Sequence, residues 1–463
     1  MPLLIKNGHI VTASDAWDAD IYCADESVTR IERSIDVRSL PANTETIDAS
    51  GKLVFPGFID PHVHVYLPFM GTFAKDTWAS ASEAALLGGT TTLIEMICPG
   101  RSEEPLEAFE TWLGKARDVA SCDYSFHMGV TRYDESAEKQ LREIVRRGIT
   151  SFKVFLAYKG ALGVDDTELF RTLRLAKELG VVVTAHCENE TLVAERQAEL
   201  IAAGKTGPEW HEPSRPVEVE AEGVHHLMTF AHLTGAEVYV VHTSCNEAMR
   251  EALTARARGV RVWIETVAPH LVLDRTFAER PDFEGAKYVM SPPLRAKRHQ
   301  DSLWSALQAR LIDTIATDHA PFDFEAQKSM GCDAFTKIPN GIPSVEHRVD
   351  LLHTFGVATG RIDLHTLVDC ASTKAARIFG LTNKGTIAVG KDADLVVYDP
   401  NARWTISAKT HRMATDYSAF EGWEMRGRSS AVTLRGRVMV RDGKLVGERG
   451  QGRLIERRVA KVS

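Results

Sequence analysis

The sequence predicts an α/β protein: a (β/α)8 TIM-like barrel with a small β-sandwich domain formed by both termini. Three observations predict it. Short apolar runs of strand character alternate with helical patterns through the middle of the chain. Histidine, lysine and aspartate recur at or near the ends of those runs, as they do where parallel strands converge on one face of a barrel. Both ends of the chain are β-rich.

At the N-terminal end, Leu3 to Thr12, Asp20 to Cys23 and Val28 to Ile31 read as strands. Eight candidate barrel strands follow: Phe58 to His64, Thr90 to Met96, Tyr124 to Val130, Ser151 to Leu156, Val181 to Cys187, Glu237 to Thr243, Val260 to Thr266 and Thr314 to Asp318. One helix between them is well marked. Asp165 and Glu168 form a capping box, Leu169, Leu173, Ala176 and Leu179 recur at helical spacing, and Gly180 stops it. At the C-terminal end, Asp394 to Tyr398 is an apolar run. Ala431 to Val440, followed by Asp442-Gly443, reads as two strands and a turn. Residues 1–54 and 385–463 are therefore assigned to the sandwich and residues 55–384 to the barrel. A doubly wound sheet is the competing architecture, but no GxGxxG follows a strand.

Composition narrows the function. The 463 residues are 44% hydrophobic and 25% charged, ordinary for a globular protein. A net charge of -8 gives no reason to expect nucleic acid or an anionic membrane as partner. No apolar run approaches the roughly 18 residues of a membrane span, and the start of the chain has no signal-peptide pattern. Seven cysteines, odd in number and without CxxC, point to reduced thiols and a cytoplasmic location.

Chemistry concentrates at a few positions. His62 and His64 lie two apart, a spacing that puts both side chains on one face of a strand. His186 and His242 each end an apolar run, and Asp318 ends the eighth. Alone, each has a plainer use: a hydrogen-bonded core histidine, or an aspartate capping a helix. Their repetition at barrel-unit intervals favours a shared site. Lys153 sits inside the apolar run Ser151 to Leu156, where lysine is rare without a partner. An ammonium there would be repelled by divalent cations. A lysine carboxylated by carbon dioxide would be an anion able to bridge two of them. Four histidines, one aspartate and one lysine are too many for one zinc and suit two, so the residues read as a two-metal hydrolase. Cys187 and Cys245 lie close to these positions but are read as packing residues, and His319 as a supporting neighbour. Tyr158, in the loop after Lys153, can donate to an oxyanion. Ser291 and Asn340 lie in turn-forming sequences.

The chain resembles the dihydropyrimidinase and D-hydantoinase group, cyclic amidases of the amidohydrolase superfamily. The resemblance runs over essentially the whole length. It is carried by Ile5 to Gly8, Pro56 to His64, Phe152 to Lys159, His186 to Asn189, Ser291 to Arg295, Thr317 to His319 and Gly385 to Leu395.

It implies a TIM-like barrel, a sandwich built from both termini, and two zinc ions per subunit. His62, His64 and Asp318 would hold the first ion and His186 and His242 the second, with carboxylated Lys153 bridging them. A hydroxide shared by the metals would open the ring to an N-carbamoyl amino acid, with Asp318 as proton shuttle. Tyr158 would hold the substrate carbonyl, and main-chain groups of Ser291 and Asn340 the ring amide. Leu67, Phe69 and Phe155 would line the pocket for the ring substituent. The partner implied is a small cyclic amide, and the assembly a homotetramer or homodimer.

Rival readings remain. Dihydroorotase, a sister family, typically places an arginine two residues after its second histidine, where this chain has Tyr66. Allantoinase shares the metal ligands, but its polar ureido substrate fits poorly against Leu67 and Phe69. Scaffold relatives in animals have lost ligands, whereas every ligand is present here.

Overall fold

The computed structural model describes residues 2–459. The chain begins with five strands: β1 (Leu3–Val11), β2 (Ala16–Ala24), β3 (Ser27–Glu32), β4 (Glu45–Asp48) and β5 (Leu53–Pro56). β1 pairs antiparallel with β2 and parallel with both β4 and β5. The barrel strands are β6 (Phe58–Val63), then, after a two-stranded hairpin of β7 (Pro68–Phe69) and β8 (Thr72–Phe73), β9 (Thr90–Ile97), β10 (Asp123–Gly129), β11 (Ser151–Phe155), β12 (Val182–His186), β13 (Val238–Val240), β14 (Val262–Val267) and β15 (Thr314–Ala316). Neighbours from β6 to β15 pair in parallel in one eight-stranded sheet.

These strands are buried on both faces, which is why they read as near-continuous apolar runs. Ile59, Ile94, Met96 and Tyr239 belong to one buried cluster, while Phe58, Leu93, Ile97 and Val240 pack in another with helical residues such as Trp112, Leu141 and Leu173. The helix Asp166–Leu179 forms for the local reasons visible in sequence. Asp165 and Glu168 make a reciprocal capping box, and Gly180 ends it at φ 70°, where a side chain would be strained.

β15 meets β6 through two main-chain hydrogen bonds. The Asp318 N–H donates to the His62 carbonyl at 3.0 Å, and the His64 N–H to the His319 carbonyl at 2.8 Å. The barrel is thus sealed at its carboxyl-terminal end by three of the residues singled out for metal binding. The opposite end is filled by Arg457 from the C-terminal tail, which donates to the hydroxyls of Ser125 and Ser151, both at 2.9 Å.

The chain returns to its first sheet through β16 (Leu395–Thr405), β17 (Glu424–Leu434), β18 (Arg437–Arg441) and β19 (Lys444–Leu445). β5 lies between β1 and β16, so strands from both ends share one nine-stranded mixed sheet. It wraps a separate core that includes Ile5, Ile21, Val54, Leu395 and Val397.

Some details differ from the sequence reading. β4, the β7–β8 hairpin and β19 were not anticipated. The strands bearing His64, His242 and Asp318 stop before those residues, because His242 (φ 38°) and Asp318 (φ 51°) leave the extended conformation.

Candidate active site

One cleft at the carboxyl-terminal mouth of the barrel brings the expected residues together. Its walls include His62, His64, Lys153, His186, His242 and Asp318, together with Tyr158, Ser291, Asn340, Leu67, Phe69 and Phe155. They arrive from five barrel strands or the turns just after them, and from three loops. Tyr158, His242 and Asp318 all adopt positive φ, at 64°, 38° and 51°. Such backbone is costly for residues other than glycine and clusters where side chains must be aimed.

Asp318 Oδ1 lies 3.1 Å from His62 Nε2 and 3.3 Å from His64 Nε2. On the other side, His186 Nδ1 faces His242 Nε2 at 2.9 Å. Lys153 is fully buried at 0% exposure. Among the described residues its Nζ has no hydrogen-bond partner, and neither does His62 Nε2. Buried polar atoms are rarely left unsatisfied. The nitrogens that face the carboxylate, His62 Nε2 and His64 Nε2, with the His186 Nδ1–His242 Nε2 pair and Lys153 in the same cleft, form the donor set a metal ion would satisfy, and imidazole and carboxylate suit zinc.

Burial and charge tune these groups. Burial opposes a charged ring at His62, but Asp318 and Glu265 outweigh it and raise the imidazole to about 9. Burial dominates at His64 and lowers it to about 4. Burial also pushes the Lys153 amine below its usual value. Burial would raise Asp318, yet His62, His64 and His242 together hold it well below the carboxylate range.

Several supporting residues were missed in the sequence. Glu265, in β14, accepts from His62 Nδ1 and from the His242 N–H, both at 2.8 Å, and from the Tyr239 hydroxyl at 2.6 Å. A lone acid within Val262-Trp263-Ile264-Glu265-Thr266-Val267 was the available signal. Glu188 accepts from His186 Nε2 at 2.8 Å and from Arg215 at 2.5 Å. Burial alone would raise it, but Arg215 and His186 bring it down to about 2. His319 donates from Nε2 to Asp76 at 2.9 Å, as a supporting neighbour would. Cys187 and Cys245 sit in the main apolar cluster, consistent with packing.

The substrate side has its own order. The Tyr158 ring meets Phe69 edge-on at 5.4 Å. Ser291 and Asn340 stand within hydrogen-bonding reach of its hydroxyl, and Asn340 Nδ2 donates to Ser291 Oγ at 2.9 Å. Gly341 lets this turn press inward: at φ 153°, a Cβ there would meet the Ala320 carbonyl at 2.2 Å. The cleft holds about 50 Å³ of free space, room for one or two water molecules.

A second group, Asp123, Asp392 and Asp394, also brings carboxylate oxygens within 4.8 Å of one another, as His62, His64 and Asp318 bring their ligand atoms. Asp123 begins β10, so this group belongs to the opposite end of the barrel. Lys384 Nζ already stands among the three at 2.8, 3.0 and 2.6 Å. A positive charge fills that position, so the group works as an ion-paired link between barrel and terminal sheet.

Metal-binding side chains at the mouth of a (β/α)8 barrel, beside a phenol and a polar turn, define a class: hydrolases that work with bound metal. Comparison narrows it. A model of the amidohydrolase family matches residues 53–439. The D-hydantoinase of Geobacillus stearothermophilus is 45% identical over 459 residues, 99% of this chain and 97% of that protein. Two solved structures superpose closely. The D-hydantoinase (dihydropyrimidinase) of Thermus sp. has TM-score 0.96 and 60% identity, covering 98% of this chain and 99% of that one. The dihydropyrimidinase of Brevibacillus agri has TM-score 0.97 and 43% identity, covering all of both chains. The chain belongs to the dihydropyrimidinase/D-hydantoinase family of the amidohydrolase superfamily.

Proposed function

We propose that this protein hydrolyses cyclic amides, opening 5-substituted hydantoins and 5,6-dihydropyrimidines to N-carbamoyl amino acids. One observation carries the reading: the Nε2 atoms of His62 and His64 converge on Asp318 in a cleft that also holds Lys153, His186, His242, Tyr158, Ser291 and Asn340. The names of its relatives agree with it.

His62, His64 and Asp318 would hold one zinc ion and His186 and His242 a second, with Lys153 between them as a carboxylate. Burial favours the neutral amine of Lys153, the form whose lone pair attacks carbon dioxide with loss of one proton. When bound, the metals supply Lewis acidity and an attacking water of lowered pKa. The chain's own groups do the rest. Asp318 accepts a proton from that water and returns it to the ring nitrogen as the C–N bond breaks. With the histidines neutral as ligands, the charges that depress Asp318 are removed. The Tyr158 hydroxyl donates to the carbonyl oxygen as negative charge builds. Main-chain groups of Ser291 and Asn340 hold the ring amide. Leu67, Phe69 and Phe155 receive the ring substituent. An apolar wall discriminates weakly, by about 1–3 kcal/mol per methylene, so broad specificity is expected.

Among the described residues no helix is long and apolar enough to cross a membrane. We assign the protein to the cytoplasm, without nucleic-acid partners, as a homotetramer or homodimer, with residues 55–384 as the catalytic barrel. The test is ring opening of 5-phenylhydantoin and dihydrouracil by the zinc-loaded protein, side by side. Turnover of either supports a cyclic amidase, and their ratio ranks hydantoins against dihydropyrimidines. Failure on both, with metal bound, overturns it.

A further inference from the structure

Lys328 is fully buried, at 0% exposure, in the short turn Lys328–Gly331. Among the described residues no carboxylate bonds to it. Its Nζ donates to three main-chain carbonyls: Val289 at 2.9 Å, Pro339 at 2.7 Å and Gly341 at 2.8 Å. Carbonyl oxygens only accept, so all three bonds require all three protons of an ammonium. Burial pushes the other way, toward the neutral amine. Three charge-assisted bonds, each stronger than a neutral one, oppose that push.

The positions of the three carbonyls matter. Val289 lies two residues before Ser291, and Pro339 and Gly341 flank Asn340. The Gly341 N–H also donates to the Val289 carbonyl at 2.9 Å, which ties the two segments directly. The next carbonyl, of Met290, accepts from His211 Nε2 at 2.8 Å. Segments 289–291 and 339–341 come from distant parts of the chain and carry little regular structure of their own. Without a common donor their carbonyls would face one another and repel.

We propose that Lys328 is a positioning residue for catalysis: its buried side chain clamps the two main-chain segments that bind the substrate's amide. It touches no reacting atom. The inference rests on the ring-amide role proposed above for Ser291 and Asn340.

The test uses the zinc-loaded full chain with Lys328→Met, which keeps the length and removes the donors. On 5-phenylhydantoin we expect KM about tenfold higher, kcat changed by less than about threefold, and zinc content as in wild type. A purely structural lesion would lower kcat and metal content with overall stability. Amide hydrogen exchange adds a readout independent of turnover: peptides spanning 285–295 and 335–345 should exchange faster in the variant than in wild type. Unchanged KM with unchanged exchange overturns the clamp. If Lys328→Met does not fold, Lys328→Gln, which keeps two donors, should give intermediate KM and exchange, and wild-type values there would equally overturn it. If wild type opens neither substrate, the cyclic-amidase reading fails while the exchange result still decides the clamp.

Discussion

Glu265 joins the two halves of the metal site: one carboxylate oxygen accepts hydrogen bonds from His62 Nδ1 and from the main-chain N–H of His242, each at 2.8 Å. The contact holds Nδ1 of His62 toward Glu265 and leaves Nε2 turned toward Asp318. Partners of this kind typically carry 10–100-fold in metal affinity. Glu265→Gln presents an amide where a charged acceptor stood. The expected outcome is a roughly 10–100-fold weaker hold on zinc against a competing chelator. Wild-type retention would refute the role.

Among the described residues Lys153 is buried without a hydrogen-bond partner, which fits a residue completed by carboxylation. Lys153→Ala should bind metal poorly, and added short carboxylates should restore part of the activity by standing in for the missing bridge. Metal analysis of the dialysed variant checks this. Two tightly held ions in the alanine protein would show that no bridge is needed.

Asp318→Asn should keep the fold and lose nearly all turnover, about 100- to 10,000-fold for a general acid–base group. Steady-state kinetics with a circular dichroism control decides it. Near wild-type kcat would remove Asp318 from the proton path. Tyr158→Phe should lower kcat by about 100–1,000-fold, the effect of one oxyanion donor.

Away from the site, Glu346 gives a stability prediction with a definite sign. Burial and then Asp350 raise its carboxyl to about 8 from 4.5, against a main-chain bond from Arg412. The raised value means folding favours the protonated acid. That contribution is complete below the unfolded value and is lost as pH rises through about 8. Glu346→Gln holds a neutral group there, so its melting temperature should exceed wild type above about pH 8 and match it below about pH 4.5. An equal shift at both would contradict the assignment.

Much of this was legible in sequence because strand ends recur. His64, His186, His242 and Asp318 sit where apolar runs stop, with His62 and Lys153 just inside theirs, and parallel strands bring such positions to one face. The capping box at Asp165 was local and needed no tertiary information. Glu265 and Glu188 were harder: an acid in or beside a strand gains meaning only from the histidine it meets, and Glu265 lies 203 residues from His62. Lys328 was invisible for a similar reason. Its partners are backbone carbonyls, which leave no trace in residue type. β4 was missed because Glu45–Asp48 is short, half-exposed and weakly apolar, and only pairing with β1 makes it a strand.

The central claim is that the buried histidine, aspartate and lysine set is a two-metal hydrolytic site. The most direct measurement strips the protein with a chelator and restores zinc stepwise while following the opening of 5-phenylhydantoin. The account predicts no activity in the stripped protein and recovery that saturates at two equivalents per chain. Full activity without metal, or zinc bound at two equivalents with no ring opening, would contradict it.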